Sequence, residues 1–407
     1  MDGTTQVSEP TTQRDLLYSN VEDDLRASVR KLLNNRSGSA AVLARCESAE
    51  PYDLRLWQTM TAELGLAGLL VPEEFGGAGA SAREAAVVAE ELGRSVAPVP
   101  FLGSAVLATS TLLACLVPAE PAHRTQPAEP AHRTQPVESA HRAQPDPLLR
   151  TLAAGERIAT LAVALSTAPD AAFPEGVRAE AGSLHGRVTS VVDLDVADAV
   201  LVPAHDGDGP AIYAVDLPAS GARLDPVIPL DLTRRIADLT LDGTPARRVA
   251  TGAEAVGALR AGLTTGAVLL ASEQFGLAEW CLEAAVDFTR TRYQFGRPIG
   301  SFQALKHRMA DVWTEIISAR AVARAAADAL ATGAEDTALL VAVAGAHCSD
   351  VAVHAAEECL QLHGGIGMTW EHPVHLYLAR AKTSQIALGT PDRHRAALAA
   401  LVDLPPA

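Results

Sequence analysis

The hydrophobic period of this 407-residue chain changes twice, and that change constrains its fold more than any single motif. Apolar residues recur at helical spacing from about residue 14 to 115, and again from 253 to 401. Between about 157 and 248 the period shortens towards two, which is typical of strands. Helices, then strands, then helices predict an α+β protein. The predicted domains are an N-terminal helical domain, a β-domain and a C-terminal helical bundle, at 14–156, 157–250 and 251–403.

Individual segments show the same two periods. Leu54, Trp57, Met60 and Leu64 predict one helix, and residues 85–92 predict another. A stripe at Met309, Val312, Trp313 and Ile316 predicts a long helix in the last domain. Short apolar runs between turn residues predict three strands, at 199–202, 211–215 and 239–241.

Residues 118–144 form a nine-residue repeat that contains Pro-Ala-Glu-Pro-Ala-His-Arg-Thr-Gln twice and a third, related copy. The repeat has almost no large apolar residue, so it cannot bury a core, and we predict a low-complexity surface insertion. Its histidines His123, His132 and His141 could ligate a metal, but solvated linker histidines are much commoner. We therefore predict no metal site.

Charge and composition exclude several classes of function. A formal net charge of −16 at pH 7 argues against a nucleic-acid partner, because phosphates would be repelled. The longest apolar runs fall short of the roughly 20 residues that span a bilayer, and residues 1–14 lack a signal-peptide pattern. We expect a cytoplasmic protein without a membrane partner. The five cysteines lack metal-site spacing, so we expect reduced, buried thiols.

Two C-terminal segments carry a resemblance to a known family. The first is RTRYQFGRPIGSFQ at 290–303, and the second is QLHGGIGMTWEHP at 361–373. Together they closely resemble the acyl-CoA dehydrogenase family, and weaker matches lie at 64–77 and 90–93. The resemblance implies an N-terminal helical domain, a middle β-barrel domain and a C-terminal four-helix bundle. It also implies FAD, an acyl-CoA or acyl-carrier substrate, and at least a dimer or tetramer.

The chemistry of these segments suits a dinucleotide. Arg292 offers a guanidinium that can pair with pyrophosphate, Phe295 an apolar face, and Gly296 a turn. In the family, the residues matching Arg292, Phe295, Gln361 and Gly365 hold the ADP part of a flavin bound mainly in the neighbouring subunit. The candidate cofactor-binding residues are Arg292, Phe295, Gln303, Gln361, Gly364, Gly365 and Thr390. His363, beside the glycines, is predicted to have no catalytic role.

The family's catalytic carboxylate is missing. In the family a glutamate removes the α proton of the thioester while the flavin accepts the β hydride, and two positions for that glutamate are known. The resemblance places them at Leu388 and Gly266, neither of which can take a proton. Glu273, about two helical turns beyond Gly266, is a weak candidate for a displaced base. A structural role for Glu273 is favoured.

The β-domain also departs from the family pattern. Members carry a Thr-Glu-Pro-x-Ala-Gly-Ser-Asp stretch that lines the flavin ring, and a Trp-x-Thr that faces its N5 atom. The corresponding regions here are 159–170 and 189–192, and neither matches. The elements that serve this subunit's own isoalloxazine are therefore eroded, whereas those serving a partner's FAD are intact.

Three hypotheses follow. We favour a dehydrogenase of the family that acts as the base-lacking subunit of a hetero-oligomer with a homologous catalytic subunit, rather than alone through an unrecognised base. The second hypothesis is a flavin-dependent oxidase or other altered chemistry on the same scaffold. The third is a structural subunit that makes no flavin contact.

Overall fold

The computed structural model describes residues 14, 16–116 and 146–404. The repeat at 118–144, with its three histidines, lies outside the described residues. The helices are α1 (Asn20–Arg36), α2 (Ser39–Cys46), α3 (Leu54–Leu64), α4 (Ala82–Ser95), α5 (Thr109–Ala114), α6 (Pro147–Ala153), α7 (Gly252–Thr291), α8 (Gln303–Thr332), α9 (Thr337–His363), α10 (Val374–Ile386) and α11 (Pro391–Leu401). A π-helical segment, Phe101–Ala108, precedes α5.

The strands of the middle domain form one sheet. They are β1 (Ala159–Leu161), β2 (Val177–Glu180), β3 (Ser183–Val192), β4 (Ala199–Asp206), β5 (Gly209–Asp216), β6 (Ala222–Val227), β7 (Ile236–Pro245) and β8 (Arg247–Thr251). Their pairing runs β6-β7-β3-β2-β4-β5-β8, with β1 added parallel to β4. A separate short hairpin joins β9 (Tyr293–Gln294) to β10 (Arg297–Pro298).

This order confirms the predicted α+β fold and its sequence of helices, strands and helices. All three predicted strands are present, within β4, β5 and β7. The predicted stripe lies on α8, but its residues are not all buried: Val312 and Ile316 are, whereas Trp313 is 56% exposed. The domain limits 14–156, 157–250 and 251–403 remain predictions. All five cysteines are buried and unpaired, as expected.

The central helix of the protein is α7. It is 40 residues long, and it packs against α4 on one side and against α8, α9 and α10 in the C-terminal bundle. Length and composition alone would allow two segments, Gly252–Thr291 and Thr337–Met368, to cross a membrane. However, 72% and 61% of their apolar windows are buried inside the protein. Their apolar character is therefore explained by the core that they form.

Glycines let α4 and α7 touch backbone to backbone. A Cβ atom on Gly276 would lie 1.9 Å from the carbonyl oxygen of Glu90, and one on Gly93 would lie 2.0 Å from that of Glu273. Because backbone cannot move aside as a side chain can, these contacts fix how close the two helices come. Through these contacts, α4 of the N-terminal domain packs directly on the middle of α7.

Replacing Gly276 by Ala is therefore expected to lower the free energy of unfolding by about 1–3 kcal/mol, the usual cost of overpacking. Gly257→Ala is the matched control, because Gly257 is exposed on the same helix and its Cβ would meet nothing within 4 Å. That control should gain up to about 1 kcal/mol from helix propensity. Urea unfolding of both variants measures the difference, and equal stabilities would contradict the close contact.

Candidate functional site

The two positions that the resemblance assigns to the family's glutamate meet in space. Gly266 lies on α7, and Leu388 lies between α10 and α11. A Cβ atom on Gly266 would be 2.9 Å from Cδ1 of Leu388 and 2.6 Å from Cδ2 of Leu107, a residue of the π-helical segment. Leu107 and Leu388, here called the leucine pair, are fully buried. An apolar contact therefore occupies both predicted base positions.

The backbone around Leu388 connects the same region to the β-domain. The Leu388 N–H donates to the carbonyl oxygen of Leu165 at 2.7 Å, and the Leu165 N–H donates to that of Ser190 at 3.0 Å. Leu388 and Ser190 both have positive φ, 54° and 56°, which is uncommon for residues other than glycine. The two segments assigned by resemblance to this subunit's own isoalloxazine, 159–170 and 189–192, are thus hydrogen-bonded to each other, and the first is also bonded to Leu388.

Glu273 belongs to a buried cluster of charges at the junction of the β-domain and the bundle. Its Oε2 accepts a hydrogen bond from Nη2 of Arg234 at 2.5 Å, and its Oε1 lies 3.7 Å from Nε of Arg380. Arg380 Nε also lies 3.4 Å from Oδ2 of Asp231. The adjoining cavity measures about 10 Å³, enough for one water molecule but not for an acyl chain. These contacts favour a structural role for Glu273, and its weak candidacy as a base stays a prediction.

The segment after α7 presents the first group of predicted cofactor residues. Arg292 ends the helix, and its exposed side chain makes no ion pair with the described residues. The β9–β10 hairpin then turns at Phe295 and Gly296, whose φ angles are 53° and 78°, as a tight hairpin requires. This turn leaves the Phe295 ring 90% exposed at the tip. Gln303, exposed at the start of α8, follows directly.

The end of α9 presents the second group. Gln361 is exposed on its last turn, and Gly364 follows with φ 60° and ψ −137°, a conformation open to glycine. A Cβ atom on Gly364 or on Gly365 would meet nothing within 4 Å, so the backbone there is open to a ligand. The Phe288 ring on α7 lies 4.4 Å from the His363 ring. This contact brings the ends of α7 and α9 together.

Thr390, also predicted to bind the cofactor, lies at the start of α11. It follows Leu388 and Gly389 and caps α11, with its Oγ1 accepting the N–H of Arg393 at 3.2 Å. The Phe288–His363 contact thus brings together the helix ends that carry Arg292 and Gln361, whereas Thr390 lies in the separate segment before α11. His363 is 4% exposed, and its Nδ1 donates to the carbonyl oxygen of Cys359 at 2.7 Å, a structural bond.

The fit to FAD differs between the two regions. The ends of α7 and α9 offer an unpaired guanidinium, an amide, open glycine backbone and an exposed ring, which together suit a pyrophosphate and its adenosine. All of these groups face outwards, as expected of a site completed by another subunit. At the leucine pair, by contrast, packed side chains and backbone hydrogen bonds fill the region. The residues therefore fit the ADP part of the cofactor.

Sequence reasoning missed Leu107 and the partners of Glu273. Leu107 is one apolar residue in an apolar run, and nothing in its local pattern relates it to Gly266, which lies in another domain. Asp231 and Arg234 follow β6, far along the chain from Arg380. No signal in the sequence alone connects them. Among the described residues no cluster of three or more His, Cys, Asp or Glu could hold a metal ion.

Comparison with known proteins shows the family. The model of the acyl-CoA dehydrogenase N-terminal domain matches residues 19–117, and that of the C-terminal domain matches residues 252–402. The chain therefore belongs to the acyl-CoA dehydrogenase family. The family consists of oxidoreductases that act on CH–CH groups, with FAD as their cofactor.

Individual relatives cover nearly the whole chain. It is 36% identical to the acyl-CoA dehydrogenase IpdE2 of Mycobacterium tuberculosis over 367 residues, which is 90% of this chain and 92% of that protein. The ChsE4–ChsE5 complex from the same organism is similar in structure, with a TM-score of 0.80, 26% identity, and coverage of 97% of this chain and 100% of the compared chain. A variant of the Tcur3481–Tcur3483 steroid acyl-CoA dehydrogenase is also similar in structure, with a TM-score of 0.77 and 27% identity. The match covers 94% of this chain and 98% of the compared chain.

Proposed function

We propose that this chain is the supporting subunit of a hetero-oligomeric acyl-CoA dehydrogenase. Its exposed groups, Arg292, Phe295, Gln361 and Gly365, hold the ADP part of an FAD bound in a homologous subunit that carries the catalytic glutamate. The observation that carries this proposal is the contrast between the two regions. The ends of α7 and α9 are open and polar, whereas the leucine pair closes the place of the base.

The reaction requires a base that this chain does not place at either family position. Removing a proton from the carbon next to a thioester needs a carboxylate within hydrogen-bonding reach of that proton. Gly266 and Leu388 cannot supply one, and Glu273 is engaged by Arg234. The partner subunit provides the glutamate, and bound FAD supplies the hydride acceptor. Desaturation of an acyl thioester is then a property of the complex.

The relatives support both the assembly and a class of substrate. Two similar structures, ChsE4–ChsE5 and Tcur3481–Tcur3483, each combine two different chains. The second is a steroid acyl-CoA dehydrogenase. A homologous chain is therefore the partner to seek, in a dimer or a tetramer. A bulky polycyclic acyl-CoA is the first substrate to test, with an acyl-carrier thioester as the alternative. We place this activity in the cytoplasm.

The test is the absorbance spectrum and native mass of the chain purified alone, and again after co-expression with a homologous dehydrogenase that carries the glutamate. We expect a colourless chain alone and a yellow complex that an acyl-CoA substrate bleaches. A yellow homo-oligomer that an acyl-CoA bleaches would overturn the proposal. Peroxide formation by such a homo-oligomer would point to an oxidase instead.

A further inference from the structure

Three rings, here called the stack although they are tilted by 31° and 39° to one another, lie in contact where the ends of α7 and α9 meet. The His363 ring lies between Phe288, one turn before the end of α7, and His372, just before α10. Its centroid is 4.4 Å from that of Phe288 and 4.0 Å from that of His372. The stack therefore joins the end of α7, the end of α9 and the segment before α10. Arg292 follows one end of it, and the glycines lie between the two histidines.

Hydrogen bonds fix His372 in this position. Its Nδ1 accepts the backbone N–H of Val374 at 3.3 Å, and its carbonyl oxygen accepts from Nδ1 of His375 at 2.8 Å. A backbone N–H can only donate, so Nδ1 of His372 must carry a lone pair. The ring is then anchored to the first turn of α10 while its face rests on His363.

We propose that His372 is a positioning residue for the cofactor: through its stack on His363 it holds Gly364 and Gly365 in register with Arg292. This inference rests on the proposed function. Besides the stack, the segment 364–373 is held by Gly367, which is buried against Leu360, and by a contact between the Trp370 and His375 rings at 4.3 Å. Of these contacts, only the stack joins the segment to the end of α7, through Phe288. Without the stack, Gly364 and Gly365 would no longer be held at a fixed distance from the Arg292 guanidinium.

The stack should also respond to acid. The titratable groups that face the two histidines are Cys359 on α9 and His375 on α10, while Phe288 of α7 carries no charge. Burial, and then the neighbouring His363 and His375, lower the pKa of His372 from 6.5 to about 4. If the segment were released, the pKa of His372 would return to 6.5, so the released segment would bind more protons than the packed one between about pH 4 and 6.5. The contribution of His372 thus favours the packed segment fully above about pH 6.5 and is lost as the pH falls towards 4. Burial lowers the pKa of His363, but its bonds to Cys359 raise that pKa above 6.5 overall, so His363 contributes with the opposite sign.

The experiment uses the complex with the glutamate-bearing subunit, stripped of FAD and titrated with FAD at about pH 7.5 and about pH 5.5. His372→Ala is expected to weaken FAD binding about three- to tenfold at the higher pH, as loss of one ring stack does. His372→Phe keeps the ring, so it should retain that affinity and bind FAD with less dependence on pH than the wild type. His354→Ala is the control, because His354 lies on α9, the helix of His363, but pairs with Glu315 away from the stack.

The outcomes separate this inference from the proposed function. If His372→Ala binds FAD like the wild type while Arg292→Ala binds it weakly, the positioning role fails and the proposed function stands. If Arg292→Ala also binds like the wild type, both fail. Should His372→Ala not assemble, the pH profile of His372→Phe decides, and a profile identical to that of the wild type overturns the inference.

Discussion

Replacing Leu388 by Glu is expected to destabilise the protein and to create no dehydrogenase. The substitution places a carboxylate at a position that the resemblance assigns to the family's glutamate, but its surroundings in this chain are apolar. Leu388 is fully buried against Leu107 and Gly266, so a carboxylate there would be taken out of water without a partner. An uncompensated buried charge costs about 3–5 kcal/mol of unfolding free energy. If burial instead raises the pKa of the carboxyl group so far that it stays protonated at the assay pH, it has no free site to accept the α proton.

Urea unfolding and an acyl-CoA assay of the chain alone check this prediction. Leu388→Met is the control, because it conserves volume and should cost less than about 1.5 kcal/mol. A Leu388→Glu chain that is as stable as Leu388→Met and reduces a bound flavin with acyl-CoA would show that the site is open. The leucine pair would then not be what prevents catalysis by this chain.

The sequence predicts the elements well because their signals are local. The stripe at 309–316 predicts α8, and the short alternating runs predict β4, β5 and β7, since each pattern needs only its own residues. Burial is predicted less well. Trp313 belongs to the apolar stripe yet is exposed, because the stripe is wider than the surface that the neighbouring helices cover.

The candidate site shows the same limit more sharply. Resemblance predicted Arg292, Gln361 and Gly365 together, and the structure brings the ends of their helices into contact. It also predicted Gly266 and Leu388 as two separate base positions, but only the structure shows that they touch. What fills the space between them, Leu107, comes from a third segment. Contacts between three distant segments depend on tertiary packing, which no periodicity encodes.

Two regions therefore differ in burial and polarity. One would accept this chain's own isoalloxazine, and the other would serve a partner's FAD. At the first, buried leucines and backbone hydrogen bonds between Leu388, Leu165 and Ser190 form a continuous core. At the ends of α7 and α9, charged and polar groups are exposed, and Arg292 forms no ion pair with any of the described residues. An exposed guanidinium without an ion pair adds little to the stability of one chain. Under the proposed function, it would pair with the pyrophosphate of a shared cofactor.

Replacing Arg292 by Ala is accordingly expected to weaken FAD binding by the complex about 10- to 100-fold, without loss of the fold. A hydrogen bond to a charged group contributes about 1.5–3 kcal/mol, and pairing between guanidinium and pyrophosphate is of this kind. Arg292 is exposed and caps the end of α7 through its backbone, which an alanine keeps. The measurement is quenching of FAD fluorescence on titration into the FAD-free complex, with urea unfolding of the variant as a check on stability.

Arg290→Ala is the matched control, since Arg290 is an exposed arginine on the last turn of the same helix and lies outside the predicted set. It removes the same charge at nearly the same place, so a general electrostatic effect would weaken FAD binding in both variants alike. A loss confined to Arg292→Ala means that this guanidinium contacts the cofactor directly. Equal affinity in the wild type and both variants would instead favour a structural subunit that makes no flavin contact, because the ends of α7 and α9 would then be open without serving FAD.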